Sequence, residues 1–123
     1  MSDPRHALGL AAESLVADWL TRRGWQVVGR RMRSPAGGEV DLVARDPTGV
    51  LVAIEVRARR SARAGAAATS VDARRLGRLR RTLAAIAAAD QQRHVGLRVD
   101  LVTVEPTAGQ PRRWRLRQLS GIG

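Results

Sequence analysis

The sequence contains no cysteine, lysine, phenylalanine or tyrosine, and these absences exclude several classes of protein. Without cysteine there is neither a disulfide framework nor a thiolate zinc site. No apolar run is long enough to cross a bilayer, so no membrane partner is expected. The first residues also lack the apolar core of a signal peptide, and we therefore expect a cytoplasmic protein.

The charge of the chain is strongly one-sided. Its 123 residues fit a single domain, and the formal net charge is +11, all of it from arginine. Such an excess predicts affinity for polyanions, with nucleic acid ahead of an anionic membrane surface. Because every basic residue is an arginine, each one carries less information about function than it otherwise would.

Two short stretches, 38–44 and 50–57, alternate apolar and polar residues and predict a pair of strands. The Pro/Gly segment 45–49 between them is of hairpin length. In the first strand Val40, Leu42 and Ala44 are expected to share one face. Each strand then carries an acid at its centre, where a carboxylate is costly unless it has a partner.

The register of this hairpin decides whether the two acids meet. If 47–49 form the loop, position 46 pairs with 50 and Asp41 lies opposite Glu55, with Cβ atoms about 4.5–5.5 Å apart. The same register sets Glu39 opposite Arg57. A hard divalent cation would relieve the repulsion between the two acids, and so would nearby arginines. Spacing alone leaves both solutions open.

A helix is predicted before the hairpin, after a short flexible leader at residues 1–6. Apolar residues follow helical spacing from Leu8, and the helix should end near Arg22, with Gly24 as its C-cap. Glu13 lies just outside the apolar stripe, at the rim of the core. Spacing favours a solvated glutamate there, the alternative being a side chain that points into a site shared with the sheet.

The remaining elements predict an α/β domain with a mixed five-stranded sheet flanked by helices, in the order α-β-β-β-α-β-β. Strands are expected at 25–33, 97–105 and 114–119, with a loop at 106–111 and a tail at 120–123. A capping-box-like start at 69–72 opens the second helix, which runs to about residue 89. The stretch 58–68 has no periodicity, and we predict that it is a mobile basic loop beside the carboxylates.

The second helix is predicted to carry a ridge of arginines opposite its apolar face. Arg74, Arg78 and Arg81 form this ridge, which is either a solvated face or a track for phosphates. Arg75 instead sits at the edge of the apolar stripe, beside Ile86. Spacing leaves open which of these arginines contact a ligand.

Other chemistries find little support in the sequence. His6 and His94 have no partner at ligand spacing, and no Ser/His/Asp set, Walker motif or dinucleotide-binding glycine turn is present. Asp100 follows Arg98 on a predicted strand. A structural role in the sheet and a part in the site remain equally open for it.

Several motifs in a fixed order nevertheless resemble a known family. They are Gly9-x-x-x-Glu13, Gly24, Gly38-Glu39-Val40-Asp41-Leu42-Val43, Glu55-Val56-Arg57-x-Arg59-Arg60, Ser70-Val71 and Arg98-Val99-Asp100. Together they resemble the YraN family of uncharacterised bacterial proteins, from about Gly9 to Trp114. That family in turn resembles the PD-(D/E)xK nucleases, close to archaeal-type Holliday-junction resolvases. The resemblance implies a restriction-endonuclease-like fold.

The resemblance also implies roles for particular residues. Asp41, Glu55 and the carbonyl of Val56 would hold Mg²⁺ or Mn²⁺, with Glu13 as an accessory acid. Arg57 stands where such nucleases usually have a lysine, and unlike lysine it cannot give up its proton. The arginines expected to bind nucleic acid are Arg59, Arg60, Arg63, Arg74, Arg75 and Arg78.

Three functions therefore remain open at the level of the sequence. The first is a metal-dependent endonuclease acting on branched or structured DNA, for which a junction resolvase would need a symmetric homodimer. The second is a nuclease-fold module that binds nucleic acid without cutting it. The third is a protein-interaction adaptor whose arginine surface meets an acidic partner.

Overall fold

Two helices and five strands follow one another in the predicted α-β-β-β-α-β-β order. The computed structural model describes residues 4–35, 37–59, 71–90, 94–107 and 110–122. The elements are α1 (Pro4–Arg22), β1 (Gln26–Arg33), β2 (Glu39–Arg45), β3 (Leu51–Ala58), α2 (Ala73–Ala89), β4 (Leu97–Thr107) and β5 (Gln110–Leu119). The α/β fold class predicted from the sequence is thus confirmed.

The five strands form one mixed sheet in the order β1-β2-β3-β4-β5. Neighbouring strands are antiparallel except β3 and β4, which run parallel. A parallel pair needs a crossover connection, and α2 lies in the chain between these two strands. The sheet therefore has a helix available for each face.

Each helix buries an apolar stripe against one face of the sheet. Val16 and Leu20 of α1 pack into one core cluster with Ile54 of β3. Leu79 and Leu83 of α2 pack into a second cluster on the other face. The apolar periodicity of both helices is what makes this three-layer arrangement favourable, because each stripe is removed from water. No helix among the residues described is long and apolar enough to span a membrane.

Several boundaries differ from those expected. The first helix begins at Pro4, so residues 4–6 are helical rather than part of a leader; proline is well suited to a first helical turn because it lacks the N–H that would go unpaired there. The second helix begins at Ala73, and its cap is Asp72, whose side chain accepts a hydrogen bond from Arg75 N at 2.8 Å.

The last two strands are also longer than predicted. β4 continues to Thr107 and β5 starts at Gln110, so most of the loop expected at 106–111 is strand. Pairing of Pro106 with Trp114 extends the ladder almost to the turn. Of the basic loop expected at 58–68, residues 60–68 lie outside the residues described.

The hairpin register is as predicted. Arg45 pairs with Leu51 and Leu42 pairs with Ile54, which fixes position 46 opposite 50. Asp46 holds the turn, because its Oδ1 accepts from Thr48 N at 2.9 Å and from Val50 N at 3.0 Å. The short turn leaves the two strands no freedom to slip.

One strand face differs from the expectation. Leu42 and Ala44 pack in the α1 cluster, whereas Val40 packs in the α2 cluster, so β2 changes face around Asp41. The neighbouring strand is irregular at the same level: Arg31 has φ +49°, a left-handed conformation that is uncommon for residues other than glycine. Such irregularities re-aim side chains. Here the irregularity lies beside Asp41.

Asp100 has a structural role. Its side chain is fully buried and accepts hydrogen bonds from Arg98 Nε at 2.8 Å, Gln118 Nε2 at 2.9 Å and Gly121 N at 2.9 Å. Arg98 also donates to Asp46 Oδ2 at 3.0 Å. This network joins β4 to β5, to the residues that follow β5 and to the hairpin turn.

We expect Asp46→Ala to lower the free energy of unfolding by roughly 1–3 kcal/mol at pH 7, because its turn donors lose their acceptor. These hydrogen bonds lower the pKa of Asp46 from 3.8 to about 2, against the opposing effect of burial. The contribution is therefore complete above pH 3.8 and is lost as the pH falls towards 2. Urea unfolding at pH 7 and pH 3 measures it.

The matched control is Asp18→Ala, which removes an exposed acid from α1. It should change stability by no more than about 0.5 kcal/mol at either pH. A difference between wild type and Asp46→Ala that is as large at pH 3 as at pH 7 would contradict the assigned role of the carboxylate.

Candidate functional site

Asp41 and Glu55 lie together at the centre of the β2–β3 pair. Continuing the observed register by one residue places them opposite each other, and their carboxyl groups share a hydrogen bond. Val56 N donates to Asp41 Oδ2 at 2.9 Å. Glu55 is only 6% exposed. The hairpin therefore brings two acids into one half-buried site.

The pKa of Asp41 is raised from 3.8 to about 7. Burial is the largest cause, followed by the hydrogen bond to Glu55 and the repulsion from its charge, while the N–H of Val56 acts in the opposite direction. Two carboxylates this close cannot both ionise readily. Near neutral pH, Asp41 thus retains a proton that a divalent cation could replace.

Glu55 is held from the other side by Arg75 of α2. Arg75 Nε donates to Glu55 Oε2 at 2.7 Å, and its Nη2 donates to Oε1 at 3.2 Å. Burial acts to raise the pKa of Glu55, but the hydrogen bonds from Arg75 and Asp41 and the charges of Arg75 and Arg57 outweigh it, and the net shift is downward. The hydrogen bond to Glu55 raises the pKa of Arg75 in turn.

Arg75 was assigned from the sequence to the nucleic-acid surface, and its contact with Glu55 was not foreseen. One signal was available, since Arg75 sits at the edge of the apolar stripe of α2 and not on the ridge of exposed arginines. A residue at that edge points towards the sheet. The paired carboxylate could not be identified from helical spacing alone.

Glu13 is buried, at 7% exposure, and is not the solvated glutamate that its spacing favoured. Its Oε2 accepts from Arg31 Nε at 3.4 Å. The charge of Glu13 also contributes to the raised pKa of Asp41, so it acts on the same site. Helix α1 and the irregular stretch of β1 therefore form one side of the site that contains Asp41 and Glu55.

The register that sets Glu39 opposite Arg57 does not bring the two into an ion pair in the described structure. Glu39 accepts instead from Arg33 Nε at 2.9 Å, in an exposed ion pair. Within the described part of the chain, Arg57 makes no ion pair, and its charge helps to lower the pKa of Glu55. Arg57 therefore contributes positive charge to the site without closing it.

The predicted phosphate-binding arginines are in different situations. Arg59 is 11% exposed at its side chain and lies 3.4 Å from Glu105 Oε2. Arg74 and Arg78 are exposed on α2. Arg60 and Arg63 lie outside the residues described. Exposed arginines are thus present on α2, the helix whose Arg75 contacts Glu55.

Asp41 and Glu55 are the side chains of this site that could act as ligands of a cation. No group of three or more His, Cys, Asp or Glu side chains that could hold a metal ion occurs among the residues described. Mg²⁺, however, keeps several waters and is often held by one or two carboxylates together with substrate phosphates. Asp41 and Glu55 supply two such carboxylates. Arg75 engages both oxygens of Glu55, so a cation would share that carboxylate with a guanidinium.

We expect Asp41→Asn to stabilise the metal-free protein at neutral and higher pH by roughly 1–3 kcal/mol. With a folded pKa of about 7 against an ordinary 3.8, the contribution of the protonated carboxyl is complete below pH 3.8 and lost as the pH rises to 7. Asparagine stays neutral, can accept from Val56 N and can donate to Glu55. Unfolding in the presence of a chelator, from pH 4 to pH 8, measures the gain.

Asp18→Asn serves as the control, because it removes the same charge from an exposed position on α1. The gain of Asp41→Asn over wild type should grow between pH 4 and pH 7 and then level off. A constant difference over this range, or a loss of stability, would show that Asp41 does not hold a proton in the folded protein.

Known proteins resemble this chain over most of its length. The model of the uncharacterised protein family UPF0102 matches residues 12–104. A UPF0102 protein of Renibacterium salmoninarum is 42% identical over 122 residues, which cover 94% of this chain and 95% of the relative. One from Corynebacterium efficiens is 38% identical over 109 residues, covering 89% and 88%. The chain therefore belongs to the uncharacterised protein family UPF0102, the YraN-like family that its motifs resemble.

Proposed function

We propose that this protein binds DNA and hydrolyses its phosphodiester bonds with the help of Mg²⁺ or Mn²⁺. The observation that carries the proposal is the facing pair Asp41 and Glu55, one acid holding a proton near neutral pH and the other held by an arginine. Two adjacent carboxyl groups whose pKa values are shifted in opposite directions are common in sites that bind a cation or transfer a proton. Branched or structured DNA is the proposed substrate.

Different residues of the site would have different roles in the proposed hydrolysis. Asp41 and Glu55 would hold the cation, together with the carbonyl of Val56. When bound, such a cation lowers the pKa of a water and neutralises charge on a phosphoryl oxygen. Glu13 would accept a hydrogen bond from a water on the helix side of the site. Arg57 would stabilise negative charge that develops on the phosphate.

A second candidate is a nuclease-fold protein that binds DNA without cutting it. Two observations favour it specifically. Arg57 stands where the nucleases that this family resembles usually have a lysine, and a guanidinium cannot serve as a general base. Arg75 already neutralises Glu55 through two hydrogen bonds, which reduces the need for a cation.

Cleavage assays decide between the two. We expect wild type to cut a branched DNA, and more slowly a linear one, in Mg²⁺ or Mn²⁺. Asp41→Asn and Glu55→Gln should each lower the rate by about 100-fold or more, as loss of a group that stabilises the transition state does. Because Asp41→Asn is expected to stabilise the fold, its loss of activity cannot be attributed to unfolding.

Asp18→Asn should cut as wild type does, since its carboxylate is exposed on α1. The hydrolytic proposal is lost if the wild type cuts neither DNA or if Glu55→Gln cuts equally well. Retained, salt-sensitive DNA binding in that case would support the second candidate. A gain of cleavage in Arg57→Lys would identify the missing lysine as the cause.

Arg75→Gln tests whether arginine and cation share Glu55. In metal-free protein we expect it to lower the free energy of unfolding by about 1–3 kcal/mol, because a buried carboxylate loses its partner. Millimolar Mn²⁺ should then raise the melting temperature of Arg75→Gln more than that of wild type, since the cation takes the place of the guanidinium.

Arg74→Gln, one residue away and exposed, is the control and should respond to Mn²⁺ as wild type does. Equal Mn²⁺-induced shifts in the wild type, Arg74→Gln and Arg75→Gln would mean that Arg75 and the cation do not compete for the same carboxylate.

A further inference from the structure

A surface cavity of about 230 Å³ lies between α2 and the loop that leads into β2. It is separate from the two carboxylates. Its lining residues are Ser34, Gly37 and Gly38 from the loop and Arg78, Arg81 and Thr82 from α2. Two arginines and no acid line it, so its charge favours an anion.

The loop side of the cavity is held in a defined shape. Ser34 Oγ donates to the carbonyl oxygen of Gly37 at 2.8 Å, and Gly37 N donates to Ser34 O at 3.0 Å. Gly37 and Gly38 both have φ +89°, a conformation that side-chain-bearing residues rarely adopt. The sequence Gly-Gly before β2 is therefore required by this turn.

Gly38 is constrained a second time, by close approach. A Cβ atom at this position would fall well inside van der Waals contact of Thr82 Oγ1. Because Gly38 has no side chain, its backbone can lie in close contact with the hydroxyl group of Thr82. Glycine in such a place is typical of backbone that must approach a ligand or a neighbouring group closely.

Thr82 supplies the polar group on the helix side of the cavity. The residue is only 3% exposed, and it lines the cavity. Its hydroxyl can donate a hydrogen bond to an acceptor oxygen of a ligand there.

We propose that this cavity binds a non-bridging oxygen pair of a DNA backbone phosphate, away from the bond that is cut. Arg78 and Arg81 would neutralise the charge, and Thr82 Oγ1 would donate to one oxygen. The identity of the ligand rests on the proposed function, because it takes the phosphate from a DNA strand. The proposal that the cavity binds an anion does not depend on the anion being part of DNA.

The cavity lies at a suitable distance from the carboxylates. Thr82 is two helical turns beyond Arg75, or ~10 Å along α2 at the usual rise. Gly38 precedes Asp41 by three residues, which is also ~10 Å along a strand. The cavity is therefore close enough for a strand held at Asp41 and Glu55 to place another of its phosphates there.

Salt dependence of DNA binding tests the charge contribution. For a labelled duplex, we expect Arg78→Gln/Arg81→Gln to reduce the slope of log K against log salt by about 1. Thr82→Val should weaken binding several-fold with an unchanged slope, because it removes a neutral donor, and Thr82→Ser should restore it. Arg115→Gln removes an exposed charge from β5, the edge strand farthest from β1 and β2, and should keep the wild-type slope.

The proposal is overturned if Thr82→Val binds as wild type does, or if Arg115→Gln loses as much slope per charge as the double variant. Unfolding of a variant is detected separately by circular dichroism. Since Arg78 and Arg81 are both exposed, the double variant is expected to remain folded.

Amide chemical shifts in the wild type distinguish the source of the phosphate. Titration with a short DNA should shift Gly38 and Thr82, and inorganic phosphate should shift the same two signals more weakly. Shifts by phosphate without any DNA binding would refute the proposed function and support the anion site. DNA binding without shifts at Gly38 and Thr82 would refute the cavity and leave the proposed function standing. If inorganic phosphate still shifts the signals of Gly38 and Thr82 when the protein is saturated with DNA, the cavity binds a free anion and not a DNA phosphate. That result would contradict the proposal.

Discussion

The tight turn between β2 and β3 is the constraint on which the candidate site depends. Asp46 closes this turn with its own carboxylate, and the turn fixes the register of the two strands. That register alone brings Asp41 and Glu55 face to face. A slip of one residue would send one acid into the apolar core, where it would be costly. The buried network of Arg98 and Asp100 ties the same turn to β4.

Once the acids are together, the surrounding charges determine their states. Asp41 responds to burial and to Glu55 by keeping its proton up to about pH 7, whereas Glu55 responds to Arg75 by staying ionised. The site is thus asymmetric although both acids come from one hairpin. The arginine of α2 holds one carboxylate in place, and under the proposed function the other carboxylate would exchange its proton for a cation.

The sequence predicted the layered sheet, the strand register and the meeting of Asp41 with Glu55, because these follow from periodicity and from the length of one turn. It did not predict that Arg75 would reach Glu55 or that Glu13 would be buried. Both facts depend on how the helices pack across the sheet, which local spacing does not determine. The change of face at Asp41 was also missed, since a left-handed conformation at Arg31 has no marker in a residue that is not glycine.

The central claim is that Asp41 and Glu55 together receive a divalent cation. The most direct test is a crystal structure grown in saturating Mn²⁺, with anomalous scattering used to locate the metal. The account predicts an anomalous peak within ligand distance of both carboxylates. An ordered site with no peak there, and with the hydrogen bond between the two acids intact, would contradict it.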